Sequence, residues 1–294
     1  MKNALPPNDA AFRGRLLLLS AAVLWSTSGL IVKSGPLELL PLADRGPLLA
    51  CYRALFAAAF LFPFVRRRSI RWRAMLVPMV LLFAAMNLLF VTALTRTTAA
   101  AAIFLQYTSI VWAGLFGWMF LKERFDRGGL LAAACALIGI GWIVAADWSG
   151  PNFLGNLMAV GSGFCYAGVI LCLRFLRDED SIWLIALNHF IAGLVLLPWV
   201  LSLGVSLQPA QWALAGLLGV FQMGVPYVLF ARGVRVLQTQ EAALLTLFEP
   251  VLNPFWVWLF FAEPVPTSTW IGGAFIVGGL ALRYSLFRRR IGRT

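Results

Sequence analysis

The stretch TLFEPVLNPFWVWLFFAEP (residues 246–264) is a run of large apolar side chains interrupted by an acid, an amide and internal prolines. Its hydrophobicity predicts a helix in lipid, yet Glu249 would cost at least about 2.5 kcal/mol at the bilayer centre. Pro250 and Pro254 each lack a backbone N–H, so the helix bends and leaves carbonyl groups free beside the acid. Glu249 and Asn253 lie four residues apart and share one helix face. We therefore expect a bent membrane helix whose polar face lines a cavity.

The whole chain has the composition of a membrane protein. Of its 294 residues, 61% are hydrophobic and 12% are charged, whereas soluble domains carry about 25% charged residues. Apolar stretches long enough to cross a core of about 30 Å recur along the chain, and a β-barrel would instead show short alternating segments. The sequence predicts an all-α polytopic protein without an appended soluble domain. The ten predicted spans are residues 14–34, 45–65, 73–95, 98–121, 128–147, 153–175, 181–203, 210–232, 239–262 and 268–287.

The distribution of basic residues predicts the orientation of the chain in the membrane. With the N-terminus in the cytoplasm, 20 of the 24 Lys and Arg residues fall in cytoplasmic segments. The opposite loops hold only Lys33, Arg45 and Arg96, and Arg53 lies inside the second span. Such a bias predicts that both termini are cytoplasmic. It also accounts for the net charge of +12 through contact with anionic lipid, without a nucleic-acid partner.

The N-terminal apolar run and the cysteines have simple interpretations. Basic residues precede the run as in a signal peptide, but no A-x-A-like cleavage site follows it, so we expect the mature protein to retain it. The four cysteines lie inside predicted spans without metal-ligand spacing, and we expect buried thiols there.

Comparison of the chain with itself indicates an internal repeat. At an offset of 140 residues FLKE (120–123) aligns with FFAE (260–263), and at 141 Trp25 aligns with Tyr166. Each half would hold five spans, so the second half enters the membrane inverted relative to the first. Inverted repeats are typical of secondary transporters, whose substrate site lies near the midplane. The predicted halves are residues 1–148 and 149–294.

Three stretches carry a resemblance to a known family. LQYTSIVWAGLFGWMFLKE (105–123) and LFEPVLNPFWVWLFFAE (247–263) resemble the paired fourth- and ninth-span motif of the drug/metabolite transporter superfamily, in its ten-span EamA-type exporters. YRALFAAAFLFP (52–63) is similar to the family's second-span motif with an arginine. Ile110 stands where the first motif usually has proline, which predicts a fourth span straighter than the ninth, and Ala262 stands where glycine usually precedes the last glutamate. The resemblance implies a central cavity lined mainly by spans 1, 3, 4, 6, 8 and 9, and is strongest to the aromatic amino-acid exporter branch.

Aromatic and polar side chains at mid-depth are the candidates for substrate binding. Aromatic faces can stack a substrate ring or hold a cation, and amides can bond a ligand or a neighbouring helix. Packing for each aromatic residue, helix–helix bonding for each amide, and a structural role for Glu249 stay open as alternatives. The candidates are Trp25, Asn87, Gln106, Tyr107, Tyr166, Glu249 and Asn253.

A second set of residues is a candidate for coupling or gating: Arg53, Asn188, His189 and again Glu249. Arg53 aligns with Asn188 in the repeat and could pair with Glu249, bind a substrate carboxylate, or snorkel to the interface. His189 is the only histidine and could titrate near neutral pH or donate to another helix. Two glutamates at span ends are expected to bond helix termini or loop backbone: Glu123 and Glu263.

Missing motifs narrow the mechanism. The sequence has no G-x-x-x-x-G-K-[ST] motif, which would indicate transport driven by ATP. It also has no cluster of ligand residues that would indicate a metal or other cofactor. An intramembrane serine hydrolase would require Ser162 to meet His189. We predict instead a secondary transporter of the bacterial inner membrane that exports small amphipathic metabolites, foremost aromatic amino acids. An organic-cation exporter is the main alternative, and the coupling ion and oligomeric state stay open.

Overall fold

The computed structural model describes residues 7–122, 127–146, 150–234, 237 and 245–291, and the regular structure in these ranges is helical. The α-helices are α1 (Pro7–Ser26), α2 (Ser28–Val32), α3 (Gly35–Glu38), α4 (Leu42–Leu61), α5 (Leu76–Arg96), α6 (Ala99–Gln106), α7 (Ser109–Leu121), α8 (Arg127–Ala146), α9 (Phe153–Phe175), α10 (Ser181–Ser202), α11 (Pro209–Leu217), α12 (Val225–Gly233), α13 (Phe248–Phe261) and α14 (Thr267–Ile291). Short 3₁₀ turns occupy Phe62–Phe64 and Arg67–Ser69, and a π-helical segment, Leu218–Gly224, joins α11 to α12. Lys2, Glu123, Arg124, Arg235 and Arg293 lie outside the described residues.

Within the described residues, eight helical segments are long and apolar enough to cross a membrane, and they coincide with the first eight predicted spans. The prediction of an all-α polytopic membrane protein is confirmed at this level. Helix α13 has 14 residues, and the predicted start of the ninth span, residues 239–244, lies outside the described ranges. Helix α14 is apolar over Thr267–Leu282.

The helices pack in a pattern that repeats between the two halves of the chain. The first span (α1) packs on the eighth (α12) and ninth (α13), while the sixth (α9) packs on the third (α5) and fourth (α6 and α7). The second packs on the seventh (α4 on α10), and the fifth packs on the tenth (α8 on α14). If each span in these pairs is replaced by the span five positions away in the chain, the same set of neighbouring pairs results.

The fourth span is not a continuous helix, and the prediction that it is straighter than the ninth stays a prediction, because residues 239–244 lie outside the described ranges. The span is divided at Tyr107 and Thr108, although no proline is present. The cause is a tertiary contact with α9: the Thr108 hydroxyl donates to the Val160 carbonyl at 3.4 Å. A Cβ on Gly163 would lie 2.7 Å from the Gln106 carbonyl oxygen, so only glycine lets α9 approach the break this closely.

Helices α7 and α13 end alike, at residues 140 positions apart. Lys122 and Ala262 both adopt left-handed backbone conformations, with φ of 53° and 51°. This conformation costs a residue with a Cβ about 1–2 kcal/mol. The strain explains why glycine is usual at the position of Ala262 in motifs that resemble this one.

The contact between α8 and α14 makes a prediction about stability. A Cβ on Gly139 would lie 2.3 Å from the Gly272 carbonyl oxygen, whereas a Cβ on Gly141 would meet nothing within 4 Å. Overpacking of this kind costs about 1–3 kcal/mol. We expect Gly139→Ala to lower the thermal unfolding midpoint in detergent by at least about 3 °C. The matched Gly141→Ala variant should not lower this midpoint. Equal decreases of the midpoint in both variants would contradict the close contact at Gly139.

Candidate functional site

The polar face of α13 is held against the break in the first span. The Asn253 amide donates to the Ser28 hydroxyl at 2.8 Å, and the Trp256 indole donates to the Ser26 hydroxyl at 2.9 Å. Asn253 is 0% exposed, and its oxygen would lie 2.5 Å from a Cβ placed on Gly29. The structure therefore gives Asn253 a role in joining helices and does not support the prediction that it touches a substrate.

Glu249 lies one turn before Asn253 and has a different environment. Protein atoms surround it, yet part of its surface stays accessible, as expected of a side chain that lines a cavity. Among the described residues it makes no ion pair. The acid is thus available to a ligand.

An aromatic wall includes Trp25 of the first span, against which the helix of Glu249 packs. Trp25 meets Tyr227 edge to face, with ring centroids 5.2 Å apart, and lies 5.4 Å from Phe230. Gln222, within the π-helical segment, donates to the Trp25 carbonyl at 3.2 Å. Such π-bulges occur frequently at functional sites. Trp25 and Tyr227 are both partly exposed, so their rings are available for stacking.

Tyr227 was absent from the residues predicted to bind substrate. The signal that could have found it was its alignment with Asn87 at an offset of 140 residues, together with Pro226 immediately before it. Proline cannot donate to the preceding helical turn, so irregular backbone was to be expected there.

Arg53 is buried rather than directed to the interface, so the snorkelling alternative is wrong. It is 1% exposed, and its Nε donates to Asn87 Oδ1 at 2.8 Å. Asn87 in turn donates to the Ala50 carbonyl at 2.8 Å. Because Asn87 on the third span accepts this hydrogen bond, the Arg53 side chain does not have to extend to the membrane interface to find a polar partner. Because both ends of the Asn87 amide are used by protein, the structure does not support direct contact between Asn87 and substrate.

His189 and Asn188 lie on α10 beside Arg53. The His189 Nδ1–H donates to the Ile185 carbonyl of its own helix at 2.8 Å, so the expected bond to another helix is not formed through this nitrogen. Its Nε2 is buried without a hydrogen-bond partner in the described part of the chain, as are Asn188 Oδ1 and Arg53 Nη1. The His189 ring packs 4.8 Å from Phe83 and 5.5 Å from Tyr227.

The remaining predicted residues lie on the fourth and sixth spans. Gln106 ends α6 and Tyr107 lies in the break that follows, and both are partly exposed. Tyr166 on α9 is 40% exposed. Ser162 is fully buried and donates to the Ala159 carbonyl at 2.8 Å. Its hydroxyl therefore bonds its own helix rather than His189, and the arrangement that a serine hydrolase needs is not formed.

One end of the bundle is closed by a polar network that we call the Lys33 cluster: Lys33, Thr97, Ala99, Asn156 and Glu263. Lys33 forms an ion pair with Glu263 and donates to the Thr97 carbonyl at 3.0 Å. Glu263 accepts from the backbone N–H of Ala99, at the start of α6, at 2.9 Å. The prediction that Glu263 bonds a helix terminus is confirmed. Thr97 also donates to Asn156 at 2.7 Å, so this cluster joins the ends of five spans.

The opposite end of the bundle holds a second ion pair. Arg73, before α5, pairs with Glu179, after α9, at 2.9 Å. The two residues line a cavity of about 360 Å³ that also includes Met75 and Phe175. The first and eighth spans also pack closely near this end, where a Cβ on Gly233 would lie 3.1 Å from the Gly14 carbonyl oxygen.

Comparison with known proteins identifies the family. The model of the EamA-like transporter family matches residues 12–145 and 153–285, one match in each half of the chain. The chain belongs to the EamA-like transporter family. The resemblance of its span motifs to EamA-type transporters is thus confirmed at the level of the family. This membership makes the protein a multi-pass membrane transporter with a small-molecule substrate, and not an enzyme.

Individual relatives agree with the family assignment. An uncharacterized transporter of Archaeoglobus fulgidus is 29% identical over 66% of this chain and 70% of its own length. The uncharacterized transporter YwfM of Bacillus subtilis is 27% identical over 90% of this chain and 91% of its own length. A crystal structure with 18% identity superposes with a TM-score of 0.68, covering 94% of this chain and 98% of that chain. This last similarity shows a shared fold alone.

Proposed function

We propose that this EamA-like transporter exports small amphipathic metabolites, foremost aromatic amino acids, across the bacterial inner membrane by alternating access. The observation that carries the proposal is Glu249, a partly accessible acid without an ion pair among the described residues, on a helix that packs against the first span, whose partly exposed Trp25 meets Tyr227. An aromatic amino acid complements both features, because its ring stacks on the wall while its ammonium group faces the acid. Tyr107, Gln106 and Tyr166 complete the proposed lining. Asn87 and Asn253 hold the helices that present it.

The proposed topology has ten spans in two inverted repeats, residues 1–148 and 149–294, with both termini in the cytoplasm. The unchanged set of helix neighbours on exchange of the halves supports the repeat, and so do the left-handed helix ends at Lys122 and Ala262. In this orientation the Lys33 cluster faces outside, and the basic residues meet anionic lipid on the cytoplasmic side. Separation of this cluster would open the site outward.

Uptake into proteoliposomes tests the proposed function. Vesicles with the purified protein should take up labelled phenylalanine saturably, without ATP, at an initial rate at least about tenfold above protein-free vesicles. The control replaces labelled phenylalanine with labelled sucrose, which lacks both the ring and the charges. Uptake equal to that of the protein-free vesicles, with the protein monodisperse, would refute amino-acid transport.

An organic-cation exporter on the same fold is the second candidate. Glu249 near aromatic faces also suits a cation, which is attracted by both. Uptake of labelled tetraphenylphosphonium but not of phenylalanine would favour this function.

A further inference from the structure

The site holds a buried arginine, Arg53, and a partly accessible acid, Glu249, which do not pair with each other within the described residues. Arg53 is 1% exposed, and its Nε donates to the neutral amide of Asn87. Among the described residues neither Arg53 nor Glu249 has an ion-pair partner of the opposite sign. Buried charges are usually paired because their desolvation is otherwise uncompensated. Each charge therefore favours a ligand group of the opposite sign.

Tyr227 connects the aromatic wall to α10, the helix that packs against α4 and its Arg53. Its ring contacts Trp25 of the first span, with centroids 5.2 Å apart, and His189 of α10, with centroids 5.5 Å apart. Next to it, Arg53 Nη1 and His189 Nε2 are buried polar atoms without partners in the described residues. Unused hydrogen-bonding capacity is thus concentrated on the Arg53 side of Tyr227, whereas the helix that carries Glu249 packs against the first span, whose Trp25 meets Tyr227.

We infer that the site selects zwitterions, with the ligand carboxylate on the Arg53 side of Tyr227 and the ligand ammonium group at Glu249. The inference depends on the proposed function in one respect, namely that the transported substrate occupies this site. A simple cation would satisfy Glu249 but meet the positive potential of Arg53, and a simple anion would meet the negative potential of Glu249. Specificity then arises as much from the repelled charge as from the attracted one.

Three ligands with one ring test the inference on the purified full-length protein. They are phenylalanine, its methyl ester, which lacks the negative charge, and N-acetylphenylalanine, which lacks the positive charge. Apparent Kd values come from the rise in thermal unfolding midpoint with ligand concentration. We expect phenylalanine to bind at least about tenfold more tightly than either analogue. Equal binding of phenylalanine and its ester, or no binding of any of the three, would overturn the inference.

Two variants assign each ligand charge to its residue. Asn87→Asp keeps the side-chain size and places a carboxylate next to Arg53 Nε, so the preference for phenylalanine over the ester should fall below about threefold. Its preference over N-acetylphenylalanine should persist. Glu249→Gln should give the reverse pattern. Arg53→Gln is the second variant for the carboxylate side, in case Asn87→Asp unfolds, and an unchanged preference for phenylalanine over the ester in a folded variant would refute the role of Arg53.

The outcomes separate the inference from the proposed function. Tight binding of phenylalanine without uptake would refute transport of this substrate and leave the zwitterion site intact. Uptake of phenylalanine inhibited equally by the ester would retain the transport function and refute the selection of zwitterions.

Discussion

Replacement of Glu249 by glutamine is expected to lower the initial rate of phenylalanine uptake at least tenfold, because hydrogen bonds to charged groups are worth about 1.5–3 kcal/mol. Glutamine has nearly the same shape but no charge, so it can no longer attract an ammonium group. Since the structure shows no ion pair to Glu249 among the described residues, the fold does not depend on its charge. The thermal unfolding midpoint should change by less than about 2 °C. Uptake and thermal unfolding of the same preparation measure both quantities.

Glu263→Gln is the matched control for this prediction. Glu263 is the other described glutamate on the ninth-span motif, but it pairs with Lys33 and caps the backbone at Ala99. Loss of its charge should lower the unfolding midpoint by at least about 3 °C. Normal uptake by a folded Glu249→Gln variant would remove Glu249 from the proposed site.

Reversal of charge at the Lys33 cluster is expected to have the second large effect. Lys33 and Glu263 have side chains that are 17% and 18% exposed, so their pairing lies between the surface and buried cases and is worth about 1–3 kcal/mol. In Glu263→Lys two ammonium groups would face each other, and the closed state of this end would lose stability. The rate of phenylalanine uptake should fall at least about tenfold, since alternating access requires each end to close in turn.

The exchanged pair, Lys33→Glu combined with Glu263→Lys, distinguishes pairing from other effects. It restores opposite charges but not the bonds to the Thr97 carbonyl and the Ala99 N–H, so we expect partial recovery of uptake. Glu179→Gln breaks the ion pair at the other end, whose Arg73 side chain is 57% exposed. It should change uptake by less than about twofold. An exchanged pair no more active than Glu263→Lys would rule out pairing as the function of the cluster.

Local sequence patterns predicted most of the fold. The observed bounds of α9 and α10, Phe153–Phe175 and Ser181–Ser202, differ by at most one residue from the predicted spans, because hydropathy and helix breakers act over a few residues. The break in the fourth span was missed since its cause, the approach of Gly163 and Val160, lies more than 50 residues away along the chain.

The candidate site was predicted less completely. The importance of Glu249 follows from the sequence, because an acid deep in an apolar span is costly wherever the other helices lie. The roles of Asn87 and Asn253 do not follow from the sequence, because burial of an amide costs little free energy whenever any neighbouring group can hydrogen-bond to it. Only the packing shows that these partners are Arg53 and Ser28.

The sequence by itself thus determined that the chain is a helical membrane protein with an acid inside its ninth predicted span. Both properties depend on the transfer of individual segments from water to lipid, which is local. The tertiary structure alone decided that Arg53 is buried beside neutral groups, that Lys33 meets Glu263, and that Tyr227 stands next to Trp25. Each of these depends on which faces of distant helices meet, and hydropathy does not specify the rotation of a helix against its neighbours.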